Sequence, residues 1–202
     1  MLILGLTGPT GAGKGEVAAL LLARGFAHID GDVLSRKVTA PGEPCLDALV
    51  QAFGAGILGP NGALDRKRLG ELVFSDPESL SRLNTIIHPY IAEKVRELLA
   101  QFEREGRRGA VIDGAALYES GLDSICRAVI CVTAPYETRL ARIIARDGLG
   151  EESARKRAAA QPSEACYRAR AGFIIVNDGD LASLKKSVDN LVNALKEEYT
   201  NE

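Results

Sequence analysis

Short runs that are apolar at every position alternate along the chain with longer stretches in which apolar residues return every three or four positions. Leu2-Ile3-Leu4-Gly5-Leu6-Thr7 is the first such run, and 25–30, 109–113, 128–132 and 172–177 repeat it. Continuous rather than alternating apolarity fits a strand buried on both faces of a parallel sheet. Between the runs the period becomes helical. Val17-Ala18-Ala19-Leu20-Leu21-Leu22 follows the first strand, and Leu181, Leu184, Val188, Leu191, Leu195 and Tyr199 make one stripe of a closing helix that Asp180 is suited to cap. Strands alternating with helices predict an α/β fold: a five-stranded parallel sheet covered on both faces, a three-layer sandwich.

One interval breaks the rhythm. About eighty residues separate the second strand from the third, far more than a crossover needs. Asp76-Pro77 pairs a cap residue with proline at the first helical position, and Ile91, Val95, Leu98, Leu99 and Phe102 mark an amphipathic helix. His88-Pro89 reads as a boundary between two helical stretches, while Pro41-Gly42 and Gly59-Pro60-Asn61-Gly62 read as turns. The expectation is a single domain over 1–202 with a mostly helical lobe inserted over 33–106, placed to grip a second substrate.

Composition narrows the function classes. The 202 residues are 46% hydrophobic and 26% charged, ordinary for a soluble globular chain, and a net charge of −2 argues against a general nucleic-acid binder. The charge is uneven: eight basic against five acidic residues between Tyr136 and Arg170 suggest an anionic ligand there. Cys45, Cys126, Cys131 and Cys166 show no C-x-x-C spacing. Cys126 and Cys131 lie in an apolar stretch and read as core thiols. The first strand begins at once and no apolar run approaches the ~20 residues of a membrane span. The expectation is a cytoplasmic protein with reduced cysteines and no membrane or nucleic-acid partner.

Candidate chemistry concentrates at the ends of the strands. Gly8-Pro9-Thr10-Gly11-Ala12-Gly13-Lys14-Gly15-Glu16 fits the phosphate-binding loop G-x-x-x-x-G-K-[ST], except that Gly15 stands where a hydroxyl is expected. Glycines let the backbone wrap a phosphate with its N–H groups inward, the following helix contributes its positive end, and Lys14 adds a full charge. Asp30, Asp32 and Asp113 fall at carboxyl ends of strands, where open parallel sheets bind ligands. Asp30 and Asp32 with Arg36 fit the orientation and deprotonation of a hydroxyl nucleophile beside an anion, though Asp30 fits equally as a turn cap. Arg139, Arg142 and Arg146 share a helix face and open a basic, polar segment, 139–163, suited to close over a nucleotide as a lid. His88 suits either a hydrogen bond to substrate or a bond to a helix-end carbonyl, and His28 reads as structural.

This ordered set resembles one family, dephospho-coenzyme A kinase. The resemblance is carried by Gly5-Leu6-Thr7-Gly8, Ile29-Asp30-Gly31-Asp32 with Arg36, Leu64-Asp65-Arg66, Val73-Phe74-Ser75-Asp76-Pro77, Ile87-His88-Pro89, Leu117-Tyr118-Glu119-Ser120-Gly121, Arg142 with Arg146-Asp147-Gly148-Leu149, Gln161, and Asn177-Asp178-Gly179. It implies a P-loop NTPase fold with an acceptor lobe and lid. It implies transfer of the ATP γ-phosphate to the ribose 3′-hydroxyl of dephospho-CoA, the last step of CoA synthesis, with ATP and Mg²⁺ required. By the same resemblance Gly11, Ala12, Gly13, Lys14, Gly15 and Glu16 bind ATP phosphates, and Arg146 and Asn177 also serve the nucleotide. Asp32 is the base, with Lys14 and Arg142 as catalytic partners. Asp30, Arg36, His88 and Glu119 join Asp32 in the acceptor region, and Asp113 holds the metal through water. Two departures stand out: Gly15-Glu16 where Ser-Thr is usual, and Ala115-Ala116-Leu117 where Pro-Leu-Leu is usual. Gly-Lys-Gly also occurs in adenylate kinases, so transfer to a nucleoside monophosphate is the alternative, and a nucleotide-binding regulator without catalysis is a third reading.

Overall fold

The computed structural model describes residues 1–114 and 116–199, with side chains as far as residue 195. Ala115 and the side chain of Tyr199 therefore lie outside the described residues. Five strands, β1 (Leu2–Thr7), β2 (Phe26–Asp30), β3 (Gly109–Asp113), β4 (Ala128–Thr133) and β5 (Phe173–Val176), pair in parallel in the order β2-β3-β1-β4-β5. Each of the five apolar runs is a strand to within a residue or two at its ends.

Alternate side chains of the inner strands feed two different cores, which is why those runs are apolar throughout; at the edge, β5 buries Ile175 on one face while Ile174 and Val176 stay exposed on the other. On one face Leu4, Leu6, Val111, Ile130 and Val132 meet α1 (Lys14–Leu22) and α9 (Leu181–Tyr199) through Val17, Leu21, Leu184, Val188 and Leu195. On the other face Ala27, Ile29, Ala110 and Ile112 lie under α2 (Gly31–Val38), α3 (Pro44–Phe53), α4 (Arg66–Val73) and α5 (Pro77–Arg104). Helices α6 (Tyr136–Asp147), α7 (Glu151–Ala159) and α8 (Glu164–Ala169) follow β4. Capping fixes several starts: Asp30 accepts from the Val33 N–H, Asp65 from those of Lys67 and Arg68, Asp76 from those of Glu78 and Ser79, and Asp180 from that of Ser183.

Two expectations need correction. His88-Pro89 does not divide two helices; α5 runs unbroken for 28 residues with Pro89 inside it. Proline removes one helical hydrogen bond and costs about 3 kcal/mol in a helix interior. Ile91, Val95 and Leu99 beyond it are buried, each contributing about 1.5–3 kcal/mol, and Leu83, Ile86 and Ile87 pack on the same core before it. Packing on both sides outweighs the lost bond. Leu181, placed on the buried stripe of α9, is instead 55% exposed, since the stripe engages the sheet only from Leu184 onward.

Register brings the strand ends together. Asp113 lies beside both Leu6 of β1 and Asp30 of β2, so the loop after β1 and these two aspartates share one edge of the sheet. After β3 the chain crosses to the far side of β1, which leaves a crevice at the carboxyl ends.

Candidate active site

The loop between β1 and α1 is held open from behind. Gly13 has φ +94°, and a Cβ there would overlap the Asn177 amide nitrogen; Gly8 has φ +139°, and a Cβ there would overlap the Val132 carbonyl. No other residue fits either place. Asn177 Nδ2 donates to the Ala12 carbonyl at 2.9 Å. Arg142 donates from Nη1 to the Gly11 and Ala12 carbonyls, both at 3.4 Å, and from Nη2 to the Asn177 carbonyl at 3.2 Å. With its carbonyls turned back toward these donors, the loop has N–H groups left for an anion in front. Lys14 Nζ spans the loop to the Gly8 carbonyl at 3.0 Å. Burial pushes its ammonium below the ordinary value, while the carboxylates of Asp113 and Asp32 oppose that shift.

A cavity of about 740 Å³ opens over this loop. Gly11, Gly13, Lys14, Gly15 and Glu16 of the loop line it, together with the carboxylates Asp30, Asp32 and Asp113 and the guanidiniums of Arg142, Arg146 and Arg157. Asp30 caps α2 through the Val33 N–H at 2.9 Å, and Asp32 follows in the first turn of the same helix. Asp113 lies 3.5 Å from His28 Nε2, and that carboxylate raises the histidine pKa. Gln161 Oε1 accepts from the Thr10 N–H at 2.6 Å, tying the segment after α7 to the loop.

A second cavity of about 360 Å³, largely apolar, runs from Asp32 and Asp113 into the helical lobe. Leu69, Val73, Leu83, Ile87 and Ile91 line it, with His88 and Arg66 among its polar groups. Arg66 is steered inward by Thr39, whose Oγ1 accepts from Nη2 at 2.7 Å. Burial lowers the pKa of His88, and Glu119 partly counters it. Phe74, 78% exposed, stands at the mouth of the groove. Asp32, Asp113 and Gly114 line both cavities, so the two meet at one wall.

Not every residue picked from the sequence converges there. Arg36 is exposed in the last turn of α2 and lines neither cavity; Arg66 occupies the groove instead. Glu119 lies with His88 on an adjoining shallow cleft. Asn177 is buried behind the loop rather than on the cavity wall. Arg139 separates from Arg142 and Arg146: it is buried, donates to the Ala134 carbonyl at 3.2 Å and lies over the Tyr136 ring. Arg66 and Arg157 were not picked out. Arg66 was already visible in Leu64-Asp65-Arg66, but nothing in the run Arg155-Lys156-Arg157 tells which cation points inward.

Comparison with known proteins bears on this geometry. The family model described as dephospho-CoA kinase matches residues 2–183. A protein of Anaeromyxobacter dehalogenans named dephospho-CoA kinase is 41% identical over 196 residues, 97% of this chain and 93% of its own. The crystal structure of a Thermus thermophilus protein superposes with TM-score 0.82 at 34% identity, covering 96% of this chain and 97% of that one. A dephospho-CoA kinase from Campylobacter jejuni superposes with TM-score 0.67 at 26% identity, covering 97% and 98%.

Proposed function

The chain belongs to the dephospho-CoA kinase family and catalyses the final, ATP-dependent step of coenzyme A biosynthesis; we propose that it does so at the wall its two cavities share, with Asp32 as the base. The observation that carries this reading is that wall: Asp32, Asp113 and Gly114 border both the phosphate-loop cavity and the apolar groove. ATP lies over the loop, its phosphates on the N–H groups of residues 11–16 and on Lys14. Dephospho-CoA enters the groove with its ribose 3′-hydroxyl at Asp32. That hydroxyl oxygen attacks the γ-phosphorus, its proton passes to the Asp32 carboxylate, and the bond to the β-phosphate oxygen breaks to release ADP. Lys14 and Arg142 neutralise charge on the transferring group, and Arg142 also keeps the loop carbonyls turned away.

The residues present fit a magnesium ion. A Cβ at Gly15 would meet nothing within 4 Å, leaving open space beside the carboxylates of Asp113 and Asp32. Among the described residues no group of three or more His, Cys, Asp or Glu side chains could hold a metal. Asp113 would hold magnesium through water, with phosphate oxygens completing its shell, as its preference for retaining water allows. A magnesium ion held there would supply positive charge against the phosphates of the donor. The segment 139–163 acts as the lid and the lobe 33–106 holds the acceptor.

The test is ADP release by purified protein supplied with ATP, magnesium and either dephospho-CoA or AMP. Turnover of dephospho-CoA to its 3′-phosphate is expected. Turnover of AMP without dephospho-CoA would reassign the acceptor, and ATP binding with no transfer at any magnesium concentration would remove the enzymatic reading.

A further inference from the structure

Asp147 holds two guanidiniums that come from different helices. Arg146 donates from Nε to Oδ1 at 2.8 Å and from Nη2 to Oδ2 at 2.9 Å, and Arg157 donates from Nη1 to Oδ2 at 3.0 Å. The local fold makes this meeting unavoidable. Gly148, with φ +64°, ends α6 directly after Asp147, and α7 returns along α6 on Leu140, Ile143 and Ala154, which brings Arg157 back to the carboxylate. Both arginines line the phosphate-loop cavity; Asp147 stands behind them and does not.

Bonds this exposed on the arginine side add little to stability. Their effect is on orientation. Two long cationic side chains aimed into one cavity repel each other and scatter among rotamers unless an anion fixes both. Asp147 takes one edge of each guanidinium. Arg146 keeps Nη1, and Arg157 keeps Nε and Nη2, with no protein acceptor on those atoms among the described residues. These are the fork edges that suit phosphate oxygens.

We propose that Asp147 is a positioning residue that yokes Arg146 and Arg157 into a paired site for the phosphates of the donor nucleotide, and that Arg157 is one of the donor's ligands. This rests on the donor reading given above. Asp147→Asn removes the shared charge and sets an amide against one guanidinium.

Calorimetric titration with the β,γ-imido analogue of ATP, which needs no acceptor, tests it. Asp147→Asn and Arg157→Met each weaken binding about tenfold, and the double variant is little worse than the weaker single one, as expected when one residue acts through another. Asp147→Glu recovers most of the affinity. Melting midpoints stay within about 2 °C of the unmutated protein, and KM for dephospho-CoA holds within about twofold. Unchanged or tighter analogue binding by Asp147→Asn overturns the proposal, the latter by showing that the carboxylate competes with phosphate. Fully additive losses, or a midpoint drop matching the lost affinity, overturn it as well. Failure of the unmutated protein to bind the analogue removes the donor reading and the yoke together.

Discussion

Gly15 is where the phosphate loop departs from its usual form, and replacing it with serine separates what the fold requires from what the metal requires. Gly13, two residues earlier, sits at positive φ against Asn177 and has no substitute. Gly15 is different. It lies in the first turn of α1, its φ is not in the left-handed range, and a Cβ there meets nothing within 4 Å. Glycine in a helix costs about 1 kcal/mol relative to alanine, and serine about half of that. Gly15→Ser should therefore add about 0.5 kcal/mol and raise the melting midpoint by about 1–2 °C in a chain of this length. The new hydroxyl faces the cavity that Asp32 and Asp113 border. If it adds a contact of ordinary hydrogen-bond strength, about 0.5–1.5 kcal/mol, half-saturation by magnesium should fall about two- to tenfold. The assay is initial rate against free magnesium at fixed ATP and acceptor, with a melt in the absence of metal. A raised midpoint with an unchanged magnesium requirement would refute the metal half, because water would already serve where the hydroxyl is missing. A lowered midpoint would refute the structural half.

Three further perturbations have defined outcomes. Asp32→Asn should lower turnover by about 10²–10⁴ and leave KM for ATP within a fewfold, and an unchanged rate would give the base role to another group. Asn177→Ala strips the buried Ala12 carbonyl of its 2.9 Å donor and leaves only Arg142 at 3.4 Å, so the fold should lose about 1–3 kcal/mol, read as a midpoint lower by about 2–10 °C. The two histidines should bend the stability–pH curve in opposite directions. Asp113 raises His28, whose contribution is complete below pH 6.5 and is lost as pH climbs through the raised value; burial lowers His88, whose contribution is complete above 6.5 and is lost as pH falls through the lowered one. Melts from about pH 5 to 8 should show each decline disappear in His28→Gln or His88→Gln respectively, and a decline that survives its own variant refutes that assignment.

The fold was legible wherever a residue's surroundings are set by its own stretch of chain. Five apolar runs became five strands because the sheet is covered on both faces except at β5, where Ile174 and Val176 are exposed, and Asp76-Pro77 and Asp180 became helix starts because a cap needs only its next three residues. The phosphate loop was legible for the same reason. Pro89 was misread because local preference was outweighed by Leu83, Ile87, Ile91 and Val95 packing on a sheet far away in sequence. In the site, what spacing leaves open is which arginine turns inward. Arg36, Arg139, Arg142, Arg155 and Arg157 are equivalent as cations, and which of them meets the cavity depends on helix rotation and on partners such as Thr39, Ala134 and Asp147 that spacing does not reveal.

The two halves of the site also differ in rigidity, and the difference follows from where each is built. Asp30 ends β2 and caps α2 with no intervening loop, so Asp32 is fixed by a strand-to-helix junction, and Asp113 ends a strand paired on both sides. The groove beside them is lined by Leu69 and Ile112, which belong to a larger core with Ile29 and Val95. On the donor side, α6 and α7 share a small core of Leu140, Ile143 and Ala154, and the segment reaches the loop through Gln161 to the Thr10 N–H and Arg146 to Thr10 Oγ1 at 3.5 Å. Few buried contacts mean a low free energy of local opening. Nucleotide exchange therefore calls for movement of the proposed lid alone, while the base and the acceptor wall stay in place. Attack geometry is set by the stiff half, while the proposed lid carries Arg146 and Arg157, which already line the donor cavity with Asp147 behind them.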